Sequence, residues 1–222
     1  MTSQTIMLRL GAFLGIGAFM LFAAVPQAKS SSVFTLDKDG CTGTCGTGPF
    51  GTITLIQDTS TSVSVTLDLA ANERFAGTGA GDALEFNVFG FSGTLKVTNL
   101  SPSSGFSVGG ADSASTFGSF LESIICTVCQ GGSSSNPAGP LSFEVTSTGA
   151  AGVTLADFVA NTGGYYFASD IVGTNGKTGN VATKTFAAGS PPPSAPEPVS
   201  VVLVGVGLLA LRLLQVRRRS AK

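Results

Sequence analysis

Residues 51–69 read GTITLIQDTSTSVSVTLDL, and the alternation within them decides the fold. Successive side chains of an extended chain point to opposite faces. Ile53, Leu55 and Gln57 therefore share one face of a first strand, and Val63, Val65, Leu67 and Leu69 share one face of a second. Residues 58–61 supply the hairpin connection between them. Working outward, period-two runs predict further strands over 83–88, 93–100, 141–146, 165–172 and 181–186. The clusters GTGAGD, SPSSG, GGSSSNPAGP and GTNGKTGN punctuate these runs as turns. One short helix is predicted over 154–160, with Thr154 as its cap and Asp157 three residues on. The expected architecture is all-β: a single antiparallel β-sandwich of jelly-roll type, spanning residues 31–189. No repeat of 20–50 residues is visible, which argues against a solenoid or propeller. TSTSVSVT has the Thr-x-Thr look of an ice-binding ridge, but a flat ice face needs many such rungs and only one is present.

Composition narrows the function classes. Between residues 31 and 195 the chain has eight Asp and four Glu against four Lys and one Arg, a net charge of −7. Such a surface repels phosphate backbones, so nucleic acid is not an expected partner. The chain has no histidine, which removes a Ser-His-Asp triad, a Cys-His pair and histidine metal centres. A Walker-type phosphate loop is also missing. No cofactor is expected.

Both ends differ from the middle. Arg9 precedes an unbroken apolar run over 10–25, the length of a signal-peptide core and short for a membrane span. Residues 1–30 are therefore read as an export signal, a signal helix whose cleavage site the residues leave ambiguous. At the other end, residues 199–216 are apolar apart from Ser200, Arg212 and Gln215. As a transmembrane helix they would reach about 27 Å, just under the hydrocarbon thickness. Arg217, Arg218 and Arg219 follow at once and belong on the cytoplasmic side. Before this helix, residues 190–198 (SPPPSAPEP) form an extended linker, because each proline fixes φ and disfavours helix in the residue before it. That linker leaves Pro196, Glu197 and Pro198 accessible at the outer membrane face.

Pro-Glu-Pro, a short apolar helix and a terminal arginine cluster on an exported chain together resemble the PEP-CTERM sorting signal of Gram-negative bacteria. Pro196, Glu197 and Pro198 match its motif, and Arg217, Arg218 and Arg219 match its basic end; Arg212, inside the apolar stretch, is the one departure. The resemblance implies export, transient anchoring in the cytoplasmic membrane and recognition by an exosortase-type processing enzyme. Delivery to the cell surface or extracellular matrix, in association with exopolysaccharide, would follow. CTGTCGTGPFGTITL, NTGGYYFASDIVG and CQGGSSSNPAGPLSFEV resemble exported PEP-CTERM proteins without an established activity, which supplies no ligand residues.

The four cysteines are Cys41, Cys45, Cys126 and Cys129, and export makes disulfides their expected state. Three pairings are open. The crossed one, clipping 41/45 to 126/129, is favoured because it closes a loop of about 80 residues, worth on the order of 4 kcal/mol. A four-thiolate zinc site is the functional alternative. Nothing basic flanks CTVC to support a redox thiolate. Carboxylate-pair hydrolysis could draw on Asp37, Asp39, Asp58, Asp68, Asp82, Glu85, Glu122 or Glu144. Those on strands are expected at outward positions, where they keep the domain soluble. DKDG, residues 37–40, resembles part of a calcium loop without its remaining ligands. Tyr165 and Tyr166 are adjacent on a predicted strand, one facing the core and the other available to a sugar. The reading is a non-enzymatic surface or matrix protein, with a carbohydrate-binding module as the alternative.

Overall fold

The structure, a computed structural model, describes residues 29–184. Residues 1–28 of the export signal expected over 1–30, residues 185–189 of the expected domain, the linker with Pro196, Glu197 and Pro198, the apolar run expected as a transmembrane helix, and Arg217, Arg218 and Arg219 lie outside the described residues. Among the described residues no helix is long and apolar enough to cross a membrane.

The strands run β1 (Ser31–Leu36), β2 (Lys38–Asp39), β3 (Gly51–Thr59), β4 (Ser62–Leu69) and β5 (Arg74–Phe75). Then follow β6 (Leu84–Phe86), β7 (Leu95–Ser101), β8 (Phe106–Val108), β9 (Asp112–Ala114) and β10 (Gly118–Phe120). The last are β11 (Glu122–Cys126), β12 (Leu141–Ser147), β13 (Phe167–Val172) and β14 (Thr178–Thr183). They build a five-stranded sheet in the order β1-β3-β4-β12-β7, a second sheet in the order β2-β14-β13-β6-β11-β8 with β5 also on β13, and a separate β9–β10 hairpin. All their pairings are antiparallel.

The 51–69 hairpin forms as its alternation dictates. Ile53 pairs with Leu67 and Leu55 with Val65, and all four are fully buried. Ser60 and Thr61 make the turn. Gln57 lies on the same face, at the hairpin's end, where its amide is fully used. Its Nε2 donates to the carbonyls of Thr59, Ser62 and Val153, and its Oε1 accepts from the Leu155 N–H.

The inner faces of the two sheets share one core. Phe34 on β1 packs edge-on against Phe167 on β13 at 5.0 Å, and Phe86 on β6 stacks on Phe143 of β12 at 5.6 Å. Such aromatic pairs add about 0.5–1.5 kcal/mol beyond their buried area.

The predicted helix over 154–160 contracts to a single 3-10 turn, Leu155–Asp157. Its predicted cap is present: Asp157 Oδ2 accepts from the Thr154 N–H at 2.8 Å and its hydroxyl at 2.9 Å. The turn stops because Phe158 goes extended to bridge Val88 and stack on Phe86. The strand expected over 181–186 starts earlier, at Thr178, so Gly179 and Asn180 belong to it rather than to the turn. Gly179 has φ +147° there, and a Cβ would stand 2.7 Å from the Cys41 Cα.

A third layer, unforeseen in the sequence, covers the outer face of the second sheet. β5 and β6 both pair with β13, and between them residues 76–83 leave the sheet and return. This loop is strapped to β13 at both ends: Ala76 N–H donates to the Asp170 carbonyl, and Asp170 N–H donates to the Asp82 carbonyl. The β9–β10 hairpin joins it as a roof. Its Phe117 and Phe120 pack with Ala114 on Ala168 of β13 and Ala182 of β14, forming a small second core. Opposed alanines give that face a flat floor on which two rings can lie.

Candidate functional site

The roofed face holds the most unusual chemistry among the described residues. Glu85 on β6 and Asp170 on β13 are fully buried, and Asn180, paired with Asp170 across the strands, is 1% exposed. All three point away from the apolar core, as their alternation predicts, yet water does not reach them. The expectation that outward carboxylates would simply be solvated therefore fails for Glu85: the 76–83 loop lies over it. The loop can approach because it is glycine-rich. At Gly81 a Cβ would stand 2.8 Å from Asn180 Oδ1 and 2.9 Å from Glu85 Oε1.

The hydrogen bonds leave part of this cluster unanswered. Glu85 Oε1 accepts from the Asp82 N–H at 3.1 Å, and Asp170 Oδ2 accepts from the N–H and hydroxyl of Thr78 at 2.9 and 2.6 Å. Asn180 Nδ2 donates to the Ala80 carbonyl at 2.6 Å. Glu85 Oε2, Asp170 Oδ1 and Asn180 Oδ1 have no partner. A buried polar atom without a partner costs about 1–3 kcal/mol, more when charged.

The electrostatics point the same way. Burial pushes the Glu85 carboxyl up to about 8, against the Asp82 N–H bond, and the charges of Asp112, Asp82 and Asp170 raise it further. Asp82 is raised by burial and by Asp112, with the Ser123 hydroxyl opposing. Asp170 is raised by burial and by Asp82, with Thr78 opposing. No lysine or arginine is among these influences. The two salt bridges among the described residues, Lys29–Asp58 and Lys38–Asp37, lie elsewhere. A cleft of about 420 Å³ reaches the cluster at Asp82 and Asp112 and is lined also by Gly77, Ile125, Cys126 and Cys129.

No family model, curated protein or solved structure matches this chain. The site therefore has to be read from its own geometry.

The other sequence-derived candidates fall apart spatially. Asp37 pairs with Lys38. Asp39 is used inside its own turn, accepting from the N–H groups of Cys41 and Cys45 at 2.9 and 3.0 Å and from the Thr44 hydroxyl. DKDG is thus a loop brace rather than a set of free cation ligands. Asp58 is lowered by Lys29 and Ser64. Asp68 is exposed, Glu144 accepts from Asn99 at 2.8 Å, and Glu122, half-buried on β11, is raised by burial. Only Asp82 and Glu85 of the eight converge. They meet Asp112 and Asp170, which the sequence reading passed over. Its available signal was FASDIV, a strand in which the outward positions are also small or apolar, as in strands covered on both faces.

The crossed cysteine pairing is corrected. Cys41 bonds Cys45 and Cys126 bonds Cys129, with Cα separations of 5.5 and 5.4 Å. Each pair closes within its own turn, helped in the first by positive φ at Gly43 and Thr44. Loops this short are worth about 2 kcal/mol each in the chain-entropy model, less than the long clip. The favoured loop-closure argument lost to local geometry, since the bridge forms where the chain already brings sulfurs together. With no free cysteine among the described residues, four thiolates for zinc are not on offer.

Tyr165 and Tyr166 precede β13 rather than lying within it. The Tyr166 ring sits 5.2 Å from Phe34, at the edge of the main core. Tyr165 packs 4.8 Å from Phe117, with Lys184 Nζ 4.4 Å from its ring centre. Its ring is engaged by both neighbours.

Proposed function

We propose that this chain is an exported, non-enzymatic surface or matrix protein, delivered by its two ends and built to persist outside the cell. The observation that carries this reading is the closure of both cysteine pairs, because such bonds persist in oxidising compartments and are rare in reducing ones. The apolar run after Arg9, the tail with Pro196, Glu197, Pro198 and Arg217–Arg219, and the resemblance to PEP-CTERM sorting signals give it direction. In this reading the tail is a transmembrane anchor held briefly in the cytoplasmic membrane. An exosortase-type enzyme recognises it once the export machinery has passed the body through, and the domain, a jelly-roll-like sandwich, ends in the exopolysaccharide. Hydrolysis fits less well, because Glu85, the carboxyl best poised to act as an acid, is sealed from any sugar.

Deleting residues 196–222 tests the proposal. The domain of the undeleted protein should be recovered at the cell exterior with both disulfides intact by mass, and that of the truncated protein should be lost from the surface fraction. Unchanged surface delivery, or reduced thiols on the native protein, would end this reading.

A further inference from the structure

We propose that Asp82, Glu85, Asp112 and Asp170, with the Asn180 amide oxygen, bind one divalent cation, calcium by preference, and thereby clamp the roof onto the second sheet. The inference concerns the folded domain alone and stands whether or not the chain is exported.

The argument begins with charge. Four carboxylates act on one another here, and no cationic side chain balances them. Buried charges persist when they are paired or hold a metal ion. The second observation is independent of acidity: Asn180 Oδ1 is neutral, buried and unpartnered, and both it and Glu85 Oε1 close on Gly81. Such an amide oxygen is a good ligand for a hard cation. Glu85 Oε2 and Asp170 Oδ1 are two further oxygens with no other employment.

The donor set chooses the ion. Every donor is oxygen, which suits calcium, magnesium or manganese rather than zinc or copper. The donors come from four places: the glycine loop, β6, β9 and the β13–β14 pair. Such spread favours calcium, which takes 6–8 oxygens in adaptable geometry, over magnesium, which demands a compact octahedron. The one triple of acidic or sulfur ligand atoms gathered within 4.8 Å among the described residues is Asp39, Cys41 and Cys45, whose sulfurs are tied in a disulfide. The acidic cluster is looser than that. Asp112 is exposed at the start of β9, so binding draws its carboxylate towards Asp82 and tightens the roof. The cleft beside Asp82 and Asp112 is the entry path.

The test uses the full chain purified in detergent, stripped with EDTA and dialysed against radioactive calcium chloride at pH 7.5. One calcium per chain should bind with half-saturation below about 1 mM, the range of extracellular calcium modules. Magnesium chloride at a tenfold excess should leave most of it bound. Asp112→Asn should weaken binding by about tenfold or more without lowering the calcium-free melting temperature, since the side chain is exposed and its charge repels Asp82 and Glu85. Glu85→Gln should weaken it likewise, and calcium should slow hydrogen exchange over residues 112–120 in the native chain only. Absence of bound calcium at 1 mM, or full binding in either variant, would overturn the proposal.

Discussion

The outer faces of the two sheets carry the same kind of sequence and meet opposite fates. On the first sheet Thr54 pairs with Thr66, Ser64 with Glu144 and Thr66 with Ser142, and all stay half-buried at most. On the second sheet Glu85 pairs with Ser123, and Asp170 with Asn180, and all four are buried. Alternation placed both sets away from the core. The difference is a third layer: the 76–83 loop and the β9–β10 hairpin cover one face and leave the other to water. An outward position is a statement about direction, and solvent exposure is a separate matter of what else packs there.

Removing the roof's anchor should produce the largest effect. Phe117 is 4% exposed and packs on Phe120, Ala168 and Ala182. Phe117→Ala should cost about 3 kcal/mol, read as a lowered denaturation midpoint, and should expose the 76–83 loop to exchange. A loss no larger than for an open-face substitution would mean that the roof contributes nothing and the comparison collapses.

The next effect is in pH. Burial and the Asp39 charge raise Glu73, 3% exposed and beside β5, to about 7, whereas Asp58 on the first sheet is lowered by Lys29 and Ser64. The signs are opposite. Glu73 holds its proton more tightly folded than unfolded, so its contribution is full below about pH 4.5 and is lost as pH rises to about 7. Asp58 contributes above its unfolded value and loses that contribution as pH falls below it. Denaturation from pH 4.5 to 8 should show stability falling, with Glu85 acting in the same direction, and Glu73→Gln should reduce that fall by about 2 to 3 kcal/mol. A slope unaltered in the variant would show that Glu73 is solvated.

The smallest effect belongs to the open face. Glu144→Gln, which keeps an oxygen for the Asn99 amide to donate to, should change stability by less than about 0.5 kcal/mol at any pH from 5 to 8. A larger change would bring the two faces together and weaken the distinction drawn from the roof.

Much of the framework was legible because it is local. The 51–69 hairpin, the strands at 84–86, 95–101, 141–147 and 167–172, and the Thr154–Asp157 cap all follow from spacing within a few residues. β1 was missed, and so were the short strands β2, β5 and β8–β11, whose two to five residues carry too little pattern to outweigh the glycine and serine around them. Two of the site's four carboxylates, Asp82 and Glu85, were legible as acidic candidates, but as solvated charges. Asp112 sat in a serine-rich stretch without visible periodicity, and Asp170 was taken as part of a strand whose outward side nothing was known to cover.

By itself, then, the chain's order of residues determined which segments extend, which way each side chain points and that four cysteines would close into bridges. The cysteine partners were settled by the geometry of their own turns, whereas the burial of Glu85 and Asp170 and the meeting of four carboxylates were decided only when segments about 30 to 100 residues apart packed together. Direction is written in a two-residue period that any short stretch carries. Burial depends on which distant layer arrives, and glycines at positions such as Gly81 permit that arrival without announcing it.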